Sequence, residues 1–92
     1  MSKTIVLTGA GGVLCSTLAL AFAKQGNKVA VLDLRKDAAD KVANEIIKAG
    51  GTALGVAANV LEKDSLIEAK KVVNAAFGKV DILVNGAGGN HP

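Results

Sequence analysis

TGAGGVLC, residues 8–15, stands between a short β-branched and leucine run and a segment of helical apolar period. A glycine-rich turn from strand into helix leaves backbone N–H groups facing outward. There the orphan donors and the helix dipole favour an anion. The anion that fits such a turn best is a dinucleotide pyrophosphate. Upstream, Thr4 to Thr8 shows no polar alternation, as expected of a central strand buried on both faces. Downstream, Leu14, Leu18, Ala21 and Phe22 recur at helical spacing between Gly12 and Gln25, and Gly26 supplies a helix stop. These residues are expected to pack the helix on the sheet.

The same unit repeats along the chain. Val29 to Leu34 reads as a second strand, interrupted near its end by Asp33, a charge that needs a reason there. Lys36 to Ala49 reads as a second helix through Ala39, Val42, Ala43, Ile46 and Ile47, closed by Gly50 and Gly51. A third strand is expected over about Ala53 to Val60. A third helix follows from about Glu62, marked by Leu66, Ala69, Val73 and Phe77 and stopped at Gly78. Lys79 to Asn85 is the fourth strand, and a second glycine-rich turn, Asn85 to Gly89, follows it. The order β-α-β-α-β-α-β with right-handed crossovers is half of a Rossmann-like, doubly wound α/β fold. Its parallel strands are expected in the order 3-2-1-4, which brings both glycine turns to one carboxyl-end crevice.

Bulk composition narrows the class. Ninety-two residues make one small domain, 1–92, burying roughly 60 to 65 % of its unfolded surface. Hydrophobic residues form 50 % of the chain, but Phe22 and Phe77 are its only aromatics, so the core is built from Val, Leu, Ile and Ala. The net charge of +3 is spread among acids without a basic run, which argues against a nucleic-acid partner. Cys15 is the single cysteine, so an intrachain disulfide is impossible. The apolar run at the N-terminus is too short for a signal peptide or a membrane span, leaving the cytoplasm as the expected location.

Gly9, Gly11 and Gly12 follow a strand and open a helix. Asp33 ends the next strand about twenty residues on, where a carboxylate accepts hydrogen bonds from the adenosine ribose. An acid there also repels a 2'-phosphate, so NAD is the expected cofactor over NADP, although Arg35 lies close enough to serve a phosphate. The glycine pattern departs from the strict fingerprint: Leu14 stands where glycine or alanine is usual. Cys15 reads as a small packing residue or, at a helix N-terminus, as an activated thiol.

TGAGGVLC, Asp33 after VAVL, Asn59-Val60 after the third strand and FGKVDILVNGAGG from Phe77 together resemble the short-chain dehydrogenase/reductase superfamily over essentially the whole chain. The resemblance implies that Gly9, Gly12, Val13 and Leu14 line the pyrophosphate and ribose. It implies that Asn59 and Val60 flank the adenine, and that Asn85, Gly86, Ala87 and Gly88 form the turn that braces the sheet and borders the cofactor. Asn59 replaces the family's aspartate and Gly86 the second asparagine of its turn. GGVLCSTLA and NGAGGNHP look most like the D-mannonate oxidoreductases of the superfamily, which implies a sugar-acid or polyol substrate and hydride transfer with a nicotinamide cofactor.

The family's chemistry uses a Tyr-x-x-x-Lys pair and a serine, and this sequence has no tyrosine. No catalytic residue is therefore expected among these residues, and the chain is expected to be the cofactor-binding part of a longer enzyme, inactive alone. Its fourth strand is expected to keep a bare edge that pairs with a second copy, making a homo-oligomer. His91, the only histidine, reads as a tail residue or a substrate contact, and no metal site is expected. Two other readings stay open: a stand-alone nucleotide-binding or regulatory module, and an S-adenosylmethionine methyltransferase.

Overall fold

A computed structural model describes residues 3–8, 13–59 and 62–85, and for residues 13–15 and 85 only their place in helix and strand. Along the chain β1 (Thr4–Thr8), α1 (Val13–Lys24), β2 (Lys28–Asp33), α2 (Lys36–Lys48), β3 (Thr52–Ala57), α3 (Lys63–Phe77) and β4 (Ile82–Asn85) alternate. The strands form one parallel sheet in the order β3-β2-β1-β4. This is the Rossmann-like order expected of right-handed crossovers on either side of β1.

The pleat explains why the strand sequences do not alternate. Ile5 and Leu7 of β1 and Val29 and Val31 of β2 pack with Ala19 and Ala23 of α1 and Ala39, Val42 and Ile46 of α2. Their neighbours Val6, Ala30 and Leu32 pack on the other face with Ala69 and Val73 of α3, supported by Leu66 and Phe77. With helices on both faces, every position of β1 is buried.

Five expectations are corrected. Leu18 and Ala21 lie on the outer side of α1, which turns Ala19 and Ala23 to the sheet instead. Ile47 is 52 % exposed, because the buried stripe of α2 runs through Ala39, Val42, Ala43 and Ile46. Leu34 is 69 % exposed and lies past the end of β2, which stops at Asp33. Finally, β3 ends at Ala57, and β4 begins at Ile82 rather than Lys79.

Two local devices set the geometry around the sheet. Gly26 closes α1 at φ +87°, a left-handed conformation that glycine adopts without a Cβ clash. Gly55 lets β3 lie against the start of α2: a Cβ there would stand 3.0 Å from the Ala39 carbonyl carbon and 2.5 Å from Asp40 Oδ1.

Asp81 clips the start of β4 to β1. The Thr4 N–H donates to Asp81 Oδ2 at 2.9 Å, and the Asp81 N–H donates to the Thr4 carbonyl at 2.9 Å. Thr4 is buried, so losing this acceptor strands a donor away from water. Asp81→Ala is expected to lower stability by about 1–2 kcal/mol, read as a lower urea midpoint with unchanged slope. An unchanged midpoint would show that the clip is dispensable.

Candidate functional site

The order β3-β2-β1-β4 places the carboxyl ends of β2, β1 and β4 side by side, with Thr8 in register with Leu32 on one side and Asn85 on the other. The Thr8 hydroxyl donates to the Val84 carbonyl at 3.5 Å, joining β1 to β4 at the edge from which the glycine-rich segment departs. In open α/β sheets ligands bind beyond this edge, where the strand order reverses.

Asp33 is the last residue of β2 and half-buried. It follows Val31 by two positions and so belongs to the face covered by α1 and α2. Its carbonyl accepts the Ala58 N–H at 2.8 Å, and its Oδ1 accepts the Arg35 N–H at 3.1 Å. The second contact fixes the carboxylate over the loop between β2 and α2. A carboxylate held at a strand end is an acceptor for vicinal hydroxyls, the group a ribose presents.

Asn59 lies in the connection from β3 to α3, outside the strand. Its N–H donates to Ser65 Oγ at 2.8 Å, its Nδ2 to Glu62 Oε1 at 2.9 Å, and its carbonyl accepts the Glu62 N–H at 3.0 Å. Sequence alone gives Ser65 and Glu62 no role beyond the start of a helix. The signal that could have found them is the serine itself, since a serine in the first turn of a helix commonly bonds nearby backbone groups.

The cations after Asp33 are both paired. Arg35 Nη2 stands 3.3 Å from Asp37 Oδ2, and Lys36 Nζ stands 2.7 and 2.8 Å from the two carboxylate oxygens of Asp40. A shallow groove between α1 and α2 is lined by Ser16, Arg35, Asp37 and Lys41, among others. Among the described residues no three His, Cys, Asp or Glu side chains gather as a metal site, and no helix is long and apolar enough to cross a membrane.

Of the other expected contacts, Val13 and Leu14 open α1 and Asn85 ends β4. Gly9, Gly11, Gly12, Val60, Gly86, Ala87 and Gly88 lie outside the described residues, as does His91. The structure thus brings Asp33, Thr8 and the end of β4 to one edge.

Residues 3–92 match the family described as short chain dehydrogenase. The chain belongs to that family. An uncharacterized oxidoreductase of Bacillus subtilis (strain 168), UxuB, is 52 % identical over 90 residues, covering 98 % of this chain and 32 % of the relative. A crystal structure of a candidate D-mannonate oxidoreductase from Haemophilus influenzae, with bound NAD, is 51 % identical with a TM-score of 0.91, over 98 % of this chain and 32 % of that one. A 7α-hydroxysteroid dehydrogenase complexed with NADH and 7-oxo glycochenodeoxycholic acid is 36 % identical with a TM-score of 0.86, over 90 % and 32 % of the two chains. The chain therefore spans about a third of the length of the short-chain dehydrogenases it matches.

Proposed function

We propose that residues 1–92 form the dinucleotide-binding part of an NAD-dependent short-chain oxidoreductase. The observation that carries this reading is the carboxylate of Asp33 at the end of β2, beside the adjoining carboxyl ends of β1 and β4, in a chain of this family. The bound NAD of the Haemophilus structure supports it.

The Asp33 carboxylate at the end of β2 suits the ribose of such a group. Asp33 would hold the adenosine ribose, Asn59 and Val60 would flank the adenine, and the segment from Gly9 through Leu14 would face the pyrophosphate with backbone N–H groups. Asn85, Gly86, Ala87 and Gly88 would border the cofactor from the end of β4. When bound, the nicotinamide supplies hydride transfer. What this chain contributes is binding and orientation: acceptors for the ribose, backbone donors for the phosphates, and a carboxylate that disfavours a 2'-phosphate. It holds no tyrosine, so the proton transfer that the family assigns to one is not carried by these residues.

For the whole enzyme we propose a sugar-acid or polyol substrate, with D-mannonate and its keto partner fructuronate the leading pair, on the likeness to the candidate D-mannonate oxidoreductase. We place it in the cytoplasm, consistent with a single cysteine. Calorimetric titration of the folded chain with NAD, NADP and S-adenosylmethionine tests the binding reading. NAD is expected to bind more tightly than NADP. Binding of neither dinucleotide would overturn it, and binding of S-adenosylmethionine alone would point to a methyltransferase.

Association follows from β4. Ile82 is 37 % and Leu83 50 % exposed, on opposite faces of a strand that pairs only with β1 among the described residues. An apolar strand with an open edge is a template for pairing with another chain. The 92-residue chain is expected to self-associate at high concentration, and Leu83→Lys to reduce this in analytical ultracentrifugation. A monomer across the concentration range would refute the association.

A further inference from the structure

We infer that Asp37 and Asp40, in the first turns of α2, are positioning residues for cofactor choice: they hold Arg35 and Lys36 away from the ribose edge and so keep the site selective for NAD. The inference rests on the proposed dinucleotide site and extends it to residues that need not touch the cofactor.

Two cations closely follow the acid that would hold the ribose. Left to themselves, both would favour a phosphate ester on the ribose hydroxyl beside Asp33, and an arginine does so with a planar fork matched to phosphate oxygens. Arg35 is especially near, because its own backbone N–H is on the Asp33 carboxylate at 3.1 Å. Yet its guanidinium is turned to Asp37 at 3.3 Å. Lys36 is held more firmly, donating to both oxygens of Asp40 at 2.7 and 2.8 Å across one helical turn. Asp40 is itself placed by the close approach of β3, where Gly55 leaves room for its carboxylate. Each cation thus has an acid of its own within the start of α2, and neither presents its charge to an incoming phosphate unopposed.

The pairs are open to solvent: the side chains of Arg35 and Asp37 are 74 % and 76 % exposed. Exposed pairs bias an equilibrium by at most about fivefold each. The effect of removing them is therefore modest and additive with the larger discrimination made by Asp33.

The test uses the full chain and titrates NAD and NADP into the wild type, Asp37→Asn, Asp40→Asn and the double variant, with circular dichroism confirming the fold. The double variant is expected to bind NADP about three- to tenfold more tightly, with NAD affinity within about twofold of the wild type. Replacing Arg35 and Lys36 by alanine in that background is expected to abolish the gain. An unchanged NAD-to-NADP ratio in the double variant would overturn the inference, as would a gain that survives removal of both cations, since the acids would then act by their own charge. A wild-type chain that binds neither dinucleotide overturns the proposed function and this inference together, a result distinct from the other two because both require NAD to bind.

Discussion

Asp33→Ala is expected to weaken NAD binding by roughly tenfold to a hundredfold while the fold survives. Hydrogen bonds to a charged group contribute about 1.5–3 kcal/mol each, and tenfold in affinity corresponds to about 1.4 kcal/mol. The Arg35 N–H that Asp33 accepts is at an exposed position, so water replaces that acceptor in the variant. NADP affinity is expected to fall less, since the repulsion of its 2'-phosphate is removed along with the acceptor. Titration of both cofactors reads the two effects separately, and Asp33→Asn distinguishes charge from hydrogen bonding. NAD binding unchanged in a folded Asp33→Ala variant would remove the residue from the site.

The second large effect is on stability. Leu7 is fully buried in the middle of β1, packed with the residues of β2, α1 and α2 on one face of the sheet. Leu7→Ala removes three carbons from a close-packed layer and leaves a cavity that the neighbouring strands cannot collapse into, at a cost of about 3 kcal/mol. A domain of this size has a stability of about 5–10 kcal/mol, so roughly 30 to 60 % of it is lost. The urea midpoint is expected to fall sharply at constant slope. A shift below about 1 kcal/mol would mean that the β1 layer is not the centre of the cooperative core. The variant binds cofactor only through its folded fraction, which stays above about nine-tenths at the roughly 2–7 kcal/mol that remain, so its cofactor affinity is expected to change little.

The stability of the site and that of the sheet are therefore linked through β1. The strand carries the core on both faces and delivers the polypeptide to the glycine-rich segment at its carboxyl end. Asp81, which anchors the other end of β1 to β4, adds a polar clip to a packing otherwise made of aliphatic side chains.

Much of this was legible in the residues. Apolar runs without alternation, each followed by a helical period and a glycine, fix parallel β-α units, because a strand covered on both faces has no solvent side to mark. Right-handed crossovers then fix the order of the strands. Asp33 was visible because a carboxylate at the end of an otherwise apolar strand has to have a polar purpose.

Helix phase was legible only where the sequence is amphipathic. In α2 and α3, charged residues mark the outer side, and Ala39, Val42, Ala43, Ile46, Ala69 and Val73 are buried as their spacing implies. In α1 nearly every residue is apolar or small, so period alone could not say whether Leu18 or Ala19 faces the sheet. The tertiary structure decided for Ala19 and Ala23, which are buried while Leu18 is 37 % exposed. It also decided which acid holds which cation. Sequence placed Arg35, Lys36, Asp37 and Asp40 close together around one helix start, but their pairing depends on where α2 begins and how β3 approaches it at Gly55. Local spacing determines what a segment can form, whereas the direction a residue takes at the site is set by the elements packed against it.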